Sequence, residues 1–297
     1  MTYSKSLEEL RNTLENAIVE ALEKAVNDLP VDVINALKKA YENEESEIAK
    51  AQLKSILDNV EIASSKRRPI CQDTGLINYY VRVGCRFPLI NKIEEIIVNA
   101  TKKATLQIPL RPNTVNPLTG ENPGDNTGRY VPVTHIELTE SDEIVIDIVP
   151  KGGGSESMTI LKMPPPGRGL AAVKEIVIDA VLTAGAQPCP PTILGVGIGG
   201  GADTAVYLAK KQANVRKIGS SNPDPVLDKL EKELFNAINE LGIGVMGLGG
   251  KTTVLAVHID YAHRHPAAYP VAVAFQCWAA RRSTVYMDSK GYYRITQ

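Results

Sequence analysis

The sequence has 297 residues, of which 43% are hydrophobic and 23% charged, and its formal net charge is −1. This length and apolar content suit one large domain or two modest ones with a proper core. A nearly neutral chain gives no electrostatic argument for binding nucleic acid or an acidic membrane surface, and no apolar run approaches the roughly 20 residues of a spanning helix. The charged N-terminal stretch is unlike a signal peptide, so we expect a cytoplasmic protein.

Helices are predicted for residues 1–65, which we expect to form a helical segment ahead of a continuous region over 66–297. Ser6 and Glu9 have the spacing of a capping box, and an apolar run at helical spacing follows and ends at Pro30. Two further helices are predicted near 33–41 and 48–60. We expect these helices to pack and to carry no chemistry.

The remainder alternates irregularly between helical and strand patterns, which predicts an α/β fold of the mixed α+β kind with flanking helices. A polar loop rich in Pro, Gly and Asn interrupts it at 109–129, and loops of that length are commonly functional or disordered. Strands are predicted at 78–85, 133–139, 143–149, 253–260 and 270–277, helices at 91–106, 170–184 and 224–240, and a C-terminal hairpin turning at 289–291.

Two glycine-rich motifs resemble nucleotide-binding loops. Gly195-x-Gly197-x-x-Gly200 follows a strand-like run and opens a helix, but no strand with an acidic residue about 20 positions on follows it. The stretch GLGGKTT at 247–253 resembles a phosphate loop, although the position five before Gly250 is Val245 rather than glycine. A dinucleotide-binding oxidoreductase built on the first motif remains an alternative, and the same loop could hold another anion or a cluster.

The four cysteines are widely separated, so the spacing excludes a zinc knuckle and a ferredoxin-type run. Cys71 lies in PICQDTG, where a neighbouring carboxylate disfavours a thiolate unless a metal is bound. Cys189 lies between prolines in QPCPP, and Cys277 ends a predicted strand. Cys85 is expected to pack as a small hydrophobic residue. Two interpretations of the cysteines remain: a metal site with three thiolate ligands, or four buried free thiols.

Three histidines occur in HIDYAHRHP, at His258, His263 and His265. Two imidazoles on one strand face could bind zinc. The simpler expectation is one core residue, one surface residue and at most one catalytic acid or base.

Five stretches in chain order together resemble a known family: ICQDTG, RPNTVNPLTGENPGDNTG, KGGGSES, QPCPPTILGVGIGGGAD and FQCWAARR. They are similar to the N-terminal domain, or α subunit, of the class I fumarate hydratases, of which L(+)-tartrate dehydratase is a sister enzyme. The resemblance implies that Cys71, Cys189 and Cys277 hold a [4Fe–4S] cluster with one iron lacking a protein ligand, with glycine-rich loops around it. Cys85 matches no ligand.

The resemblance also implies substrate contacts at Gln72, Arg111 and Gly154 and catalytic roles for Asp73 and His265. Arg111 could clamp a carboxylate bidentately, Asp73 could handle a proton or orient a group that does, and His265 could hydrogen-bond the substrate or shuttle a proton. Alternatives are open for two of them. Asp73 could stabilise the Asp-Thr-Gly turn, and Arg111 could form a surface ion pair.

The implied reaction is the reversible hydration of fumarate to (S)-malate, with tartrate dehydration as the runner-up. The family's C-terminal substrate-binding groups are absent from these 297 residues. The resemblance therefore implies a separate β subunit and α subunits that dimerise within a heterotetramer acting on a small dicarboxylate. A non-catalytic scaffold subunit is the remaining alternative.

Overall fold

The computed structural model describes residues 6–297 and divides the chain into two compact units. Unit 1 combines the described residues up to Pro30 with Ile62–Lys151 and Arg281–Gln297, and unit 2 combines Val31–Glu61 with Gly152–Ala280. The predicted mixed α+β class with a helical N-terminal segment is confirmed. The division into domains at 1–65 and 66–297 stays a prediction.

Helices and strands follow one another along the described chain without a regular alternation. The helices are α1 (Leu7–Asn27), α2 (Val31–Asn43), α3 (Glu47–Lys66), α4 (Ile93–Gln107), α5 (Gly153–Glu156), α6 (Gly169–Ala184), α7 (Ala202–Val215) and α8 (Pro225–Glu240). The strands are β1 (Leu76–Gly84), β2 (Val133–Thr139), β3 (Ile144–Lys151), β4 (Ile160–Lys162), β5 (Thr192–Gly199), β6 (Val254–Ala262), β7 (Val271–Gln276), β8 (Ser283–Met287) and β9 (Tyr293–Thr296).

Unit 1 is a five-stranded sheet in the order β2-β1-β3-β8-β9, with α1 and α4 contributing to its core. Alternate residues of β1, such as Ile77, Tyr79 and Val81, join this core, as the two-residue period of a strand requires. Only the β1–β2 pair is parallel. The two predicted strands at 133–139 and 143–149 are therefore not partners, because β1 lies between them.

The capping box predicted for α1 is confirmed. The hydroxyl of Ser6 accepts the N–H of Glu9 at 3.1 Å, and the Glu9 carboxylate accepts the N–H of Ser6 at 2.7 Å. Each contact uses a donor that the first helical turn leaves without a partner, so the sequence fixes where α1 begins.

Unit 2 is a four-stranded sheet in the order β4-β7-β5-β6, with α6 and α8 sharing its larger apolar cluster and α7 packing its alanines against β7. Helix α7 approaches β5 very closely. A Cβ on Gly195 would lie 1.9 Å from the Ala209 carbonyl oxygen, and one on Gly197 would lie 2.0 Å from that of Ala205. These glycines therefore serve helix–strand packing.

Two details were not foreseen from the sequence. Strand β4 has only three residues, which is too short for a periodic pattern. The expectation that Cys85 packs as a small hydrophobic residue is wrong: β1 ends at Gly84, so Cys85 falls in the following turn and is exposed. Over residues 6–297, no helix is both long enough and apolar enough to cross a membrane.

Candidate functional site

The CQDTG loop of unit 1 is a tight turn between α3 and β1. The N–H of Ile70 donates to the Val26 carbonyl at 3.0 Å, which holds the half-buried Cys71 near the end of α1. Asp73 Oδ1 accepts the N–H of Gly75 at 3.0 Å. Gly75 has φ 85°, and a Cβ there would lie 2.6 Å from the backbone nitrogen of Lys151. The turn-stabilising role considered for Asp73 is thus present.

The long polar loop between α4 and β2 is bonded directly to this turn. Thr74 Oγ1 accepts the N–H of Arg111 at 2.9 Å and lies 3.3 Å from the Arg111 carbonyl. Asn113 Nδ2 donates to Asp73 Oδ1 and to the Gly75 carbonyl, both at 3.3 Å. The structure therefore brings Asp73 and Arg111, separated by 38 positions in the sequence, into one hydrogen-bonded assembly.

The Arg111 side chain is exposed, and no ion pair or hydrogen bond of its guanidinium is found among residues 6–297. The surface ion pair considered for Arg111 is absent from that part of the chain. Gln72 is also exposed beside the half-buried Asp73. A fixed backbone with a solvent-exposed guanidinium suits binding of a carboxylate, because two of the N–H groups of arginine can donate to the two carboxylate oxygens.

Sequence reasoning missed the residues that hold the two loops together. Thr74 and Asn113 form the contacts above, and Asn126, 3% exposed, accepts the N–H of Asn113 at 2.7 Å. Asn126 Nδ2 also donates to the Arg111 carbonyl at 3.2 Å. The available signal was the density of Asn and Thr in a loop, since these side chains commonly bond to backbone groups.

Two of the predicted thiols lie at one end of the unit 2 sheet. Cys277 directly follows β7, whose last residue Gln276 pairs with Ile193 near the start of β5. Cys189 precedes β5, and its carbonyl accepts the N–H of Trp278 at 3.3 Å. Both thiols are half-buried. Antiparallel pairing of β5 and β7 thus makes neighbours of two cysteines 88 positions apart.

Cys189 has a backbone conformation that non-glycine residues rarely adopt. Its φ is 55°, in the left-handed region that costs an L-residue roughly 1–2 kcal/mol. The N–H of Cys189 donates to the Ala186 carbonyl at 3.0 Å, which helps to hold this conformation. Such strain is concentrated at functional sites, so the observed outlier favours a role for this thiol beyond packing.

His265 lies at the opposite end of the same sheet. The N–H of Gly200 bonds to the His263 carbonyl and that of Gly199 to the Pro270 carbonyl, so the loop 263–270 lies where β5 ends. Cys189 and Cys277 lie where β5 begins. The six residues of β7 separate the two ends by roughly 20 Å at about 3.3 Å per residue. Within unit 2, the structure does not bring His265 to the cysteines.

The loop that carries His265 is organised by Arg264, which sequence reasoning missed. Arg264 Nη1 donates to the carbonyls of His265, Pro266 and Ala268 at 3.0, 2.9 and 3.1 Å, and its guanidinium lies 4.7 Å from the centre of the Tyr269 ring. Burial raises the pKa of Tyr269, which keeps that phenol neutral, while the Arg264 charge opposes the rise. The Nδ1 atom of the exposed His265 accepts the N–H of Ala267, leaving Nε2 as its outward donor.

Gly154 lies in the one-turn helix α5 and is exposed. A Cβ there would meet the Gln187 carbonyl oxygen at 3.4 Å, which is tolerable contact. Steric crowding therefore does not explain a glycine at this position. A substrate that approaches the backbone closely would explain it.

The nucleotide alternatives lose their structural basis. Gly195 and Gly197 lie inside β5, whereas a dinucleotide fingerprint needs its glycines in the turn after the strand. In the second motif, Lys251 donates its N–H to Glu44 at 2.9 Å and pairs through Nζ with Glu45, so this lysine is engaged within unit 2.

The three-histidine zinc alternative also fails. His258 is 2% exposed within β6, and its Nδ1 lies 3.3 Å from the Gln212 carbonyl oxygen. His263 and His265 are exposed on the loop that follows. His258 is thus the expected core residue and His263 the expected surface residue, and a catalytic role for His265 stays a prediction.

The cysteines suit thiolate ligands of an iron–sulfur cluster. Cys71, Cys189 and Cys277 are all half-buried. Cys189 and Cys277 are neighbours, and Cys189 has a strained backbone. Within either unit, counting its described residues alone, no three His, Cys, Asp or Glu side chains are grouped to hold a metal ion. The donors are instead divided as two thiols in unit 2 and one in unit 1.

Known proteins resemble this chain over most of its length. A sequence model described as Fumarate hydratase (Fumerase) matches residues 15–286. A protein of Methanocaldococcus jannaschii, provisionally named L(+)-tartrate dehydratase subunit alpha, is 46% identical over 283 residues, which cover 93% of this chain and 99% of the relative. The L(+)-tartrate dehydratase subunit alpha of Escherichia coli K12 is 38% identical over 262 residues, covering 88% and 86%.

These matches confirm the resemblance and the enzyme class expected from the motifs. They cover the CQDTG turn, the polar loop, both unit 2 cysteines and the His265 loop. The chain belongs to the fumarate hydratase (Fumerase) family and is a hydro-lyase.

Proposed function

We propose that this chain is the α subunit of a heteromeric iron–sulfur hydro-lyase that removes water from a hydroxylated four-carbon dicarboxylate. The observation that carries the proposal is the assembly of the Cys71–Gln72–Asp73 turn with the loop that presents the exposed Arg111. It combines a candidate metal ligand, a carboxylate and a carboxylate-binding cation in unit 1.

Cys71, Cys189 and Cys277 are the proposed thiolate ligands of a [4Fe–4S] cluster. Three thiolates leave one iron open, and when bound this iron supplies a Lewis acid for the leaving hydroxyl. The half-burial of the thiols and the strain at Cys189 support the assignment. A thiolate cluster also suits the reducing cytoplasm, which is the proposed location.

The chain's own residues bind and orient the substrate. Arg111 and Gln72 bind a carboxylate, and Gly154 lets the substrate approach the backbone. Dehydration removes a proton from the carbon beside one carboxylate and hydroxide from the next carbon, which together leave as water. Asp73, fixed through Oδ1, uses its carboxylate to orient the reacting groups, and His265 moves a proton at Nε2.

His265 is proposed to act on the site of a second copy of the chain. Within unit 2 it lies roughly 20 Å from the two cysteines, which is beyond the reach of an imidazole. A second copy can supply this side chain while the first supplies the thiols. This division supports an α-subunit dimer, which with two β subunits makes the proposed heterotetramer.

The substrate is proposed to be L(+)-tartrate, with fumarate and (S)-malate as the second candidate. The family resemblance implied fumarate, with tartrate as the runner-up, but the motifs do not separate the two substrates. Relatives that are 46% and 38% identical bear the name of tartrate dehydratase. The two dehydrations differ by one hydroxyl on the substrate. Tartrate gives an enol that becomes oxaloacetate, whereas malate gives fumarate.

The direct experiment is anaerobic reconstitution of the chain with its cognate β subunit, followed by iron and sulfide analysis and parallel assays of tartrate and malate. We expect about four irons per α chain and oxaloacetate from tartrate. If the protein binds iron and sulfide but acts on neither substrate, with or without the β subunit, the result would favour the alternative of a non-catalytic scaffold subunit.

Mixed dimers test the second-copy assignment of His265. The Cys277→Ser chain is expected to be inactive alone, and the His265→Asn chain is expected to keep about 1% of wild-type activity. Mixed with the β subunit, they should recover activity, because one of the two sites in a mixed dimer then has both intact cysteines and an intact His265. No recovery in proven mixed dimers would place His265 and the cluster in the same copy.

A further inference from the structure

Arg281 is the largest fully buried side chain among the described residues, at 1% exposure, and it belongs to unit 1. Its Nε and Nη1 atoms find no hydrogen-bond partner in residues 6–297. A buried unpaired charge is among the most costly features a fold can contain, so proteins pair such charges or supply a ligand for them.

Asn27, the last residue of α1, is also a buried polar side chain. It is 1% exposed, and neither its Nδ2 nor its Oδ1 has a partner in residues 6–297. Buried amides in folded proteins nearly always find a hydrogen bond. Val26, the preceding residue, accepts the N–H of Ile70, so Asn27 lies one residue from the contact that holds the Cys71 turn.

The sheet register directs Arg281 towards the same end of α1. Tyr293 at the start of β9 bonds to Glu20, whereas Gln297 just after β9 donates to the Lys24 and Asp28 carbonyls. Strand β9 therefore runs in the same direction as α1, and its antiparallel partner β8 runs in the opposite direction. The residues before Ser283 continue towards the carboxyl end of α1, where Asn27 and the Cys71 turn lie.

We propose that Arg281 and Asn27 are buried hydrogen-bond donors to the anionic sulfur atoms of the cluster at Cys71, an inference that rests on the proposed function. Sulfide and thiolate sulfur atoms carry negative charge. They could therefore accept hydrogen bonds from the Arg281 Nε and Nη1 atoms, which have no partner in residues 6–297. A substrate must exchange with solvent and is served by the exposed Gln72 and Arg111. Donors as buried as Arg281 suit a resident cofactor, whose stability and potential depend on such hydrogen bonds.

The test compares Arg281→Met with Arg282→Met, since Arg282 is 5% exposed but has an interaction partner. In the cluster-free full-length chain, Arg281→Met should raise Tm because it removes an uncompensated charge, whereas Arg282→Met should lower it. After reconstitution, Arg281→Met should lose iron to a chelator at least tenfold faster than wild type. The cluster potential, followed by electron paramagnetic resonance, should become more negative.

Two further variants keep the test informative if Arg281→Met folds poorly. Arg281→Lys should restore part of the iron retention because it keeps the charge, and Asn27→Leu should accelerate iron loss independently. A wild-type chain that takes up no iron and sulfide would defeat the proposed function as well. A wild-type cluster that Arg281→Met and Asn27→Leu retain at the wild-type rate would defeat this inference alone, as would a change in substrate KM without a change in iron retention.

Discussion

The two ends of the unit 2 sheet differ in appearance and in what they contain. The end where β5 finishes carries the last glycines of the glycine motif together with His263 and His265, which make it the more conspicuous functional candidate in the sequence. The end where β5 begins carries Cys189 and Cys277 in plain surroundings. Packing accounts for Gly195 and Gly197, whereas Cys189 has φ 55°, a conformation that residues other than glycine rarely adopt. A motif is therefore best judged by whether the fold already uses its residues.

The largest expected effect is at the cysteine end. Cys189→Ser or Cys277→Ser should lower activity by about 10⁴-fold or more, because losing a thiolate removes the cluster and the chemistry it supplies. Cys85→Ser should keep iron, sulfide and activity, since Cys85 is exposed in the turn after β1. Iron analysis beside the dehydratase assay checks both, and iron loss in Cys85→Ser would overturn the ligand set.

The glycine motif should respond as a packing element. Gly197→Ala would place its Cβ 2.0 Å from the Ala205 carbonyl oxygen, so α7 must move and the free energy of unfolding should fall by about 3 kcal/mol or more. Gly167→Ala is the matched control because no atom lies within 4 Å of the added Cβ. Urea unfolding measures both, and equal stability of the two variants would show that α7 does not pack closely on β5.

The His265 end should affect turnover without affecting the metal. His265→Asn should lower kcat by about 10²-fold, in the range of a lost general acid or base, with unchanged iron content. His263→Asn on the same loop is the control and should have little effect. Iron loss in His265→Asn would mean that this end supports the cluster and that the contrast between the two ends is wrong.

Arg264 variants test whether the loop that carries His265 affects turnover but not iron content. Its Nη1 bonds three carbonyls around His265, so Arg264→Met should loosen the loop and lower kcat less than His265→Asn does. Arg264→Lys keeps the charge but loses the planar fork, so its kcat should fall between those of Arg264→Met and the wild type. Steady-state kinetics and iron analysis check both variants, and both should retain iron.

The smallest expected effect concerns the backbone of Cys189. Both Cys189→Gly and Cys189→Ala remove the thiol, but glycine tolerates φ 55° and alanine does not. The cluster-free glycine variant should be more stable than the alanine variant by about 1 kcal/mol. Thermal unfolding of the two variants measures this difference. Equal Tm values would show that the backbone of Cys189 is not strained.

The sequence by itself determined the local structure and the family. Capping at Ser6, helical spacing and alternation in the strands each act over a few neighbouring residues, so they can be recognised along the chain. The motifs also identified the family, because five stretches in order are far more specific than any one.

Only the tertiary structure decided which distant residues meet. Register between β5 and β7 brings Cys189 to Cys277 and separates both from His265, and Thr74 and Asn113 join Asp73 to Arg111. The placement of β1 between β2 and β3 and the exposure of Cys85 likewise depend on partners far away in the chain. Such pairings depend on packing between distant segments, which no local pattern of residues encodes.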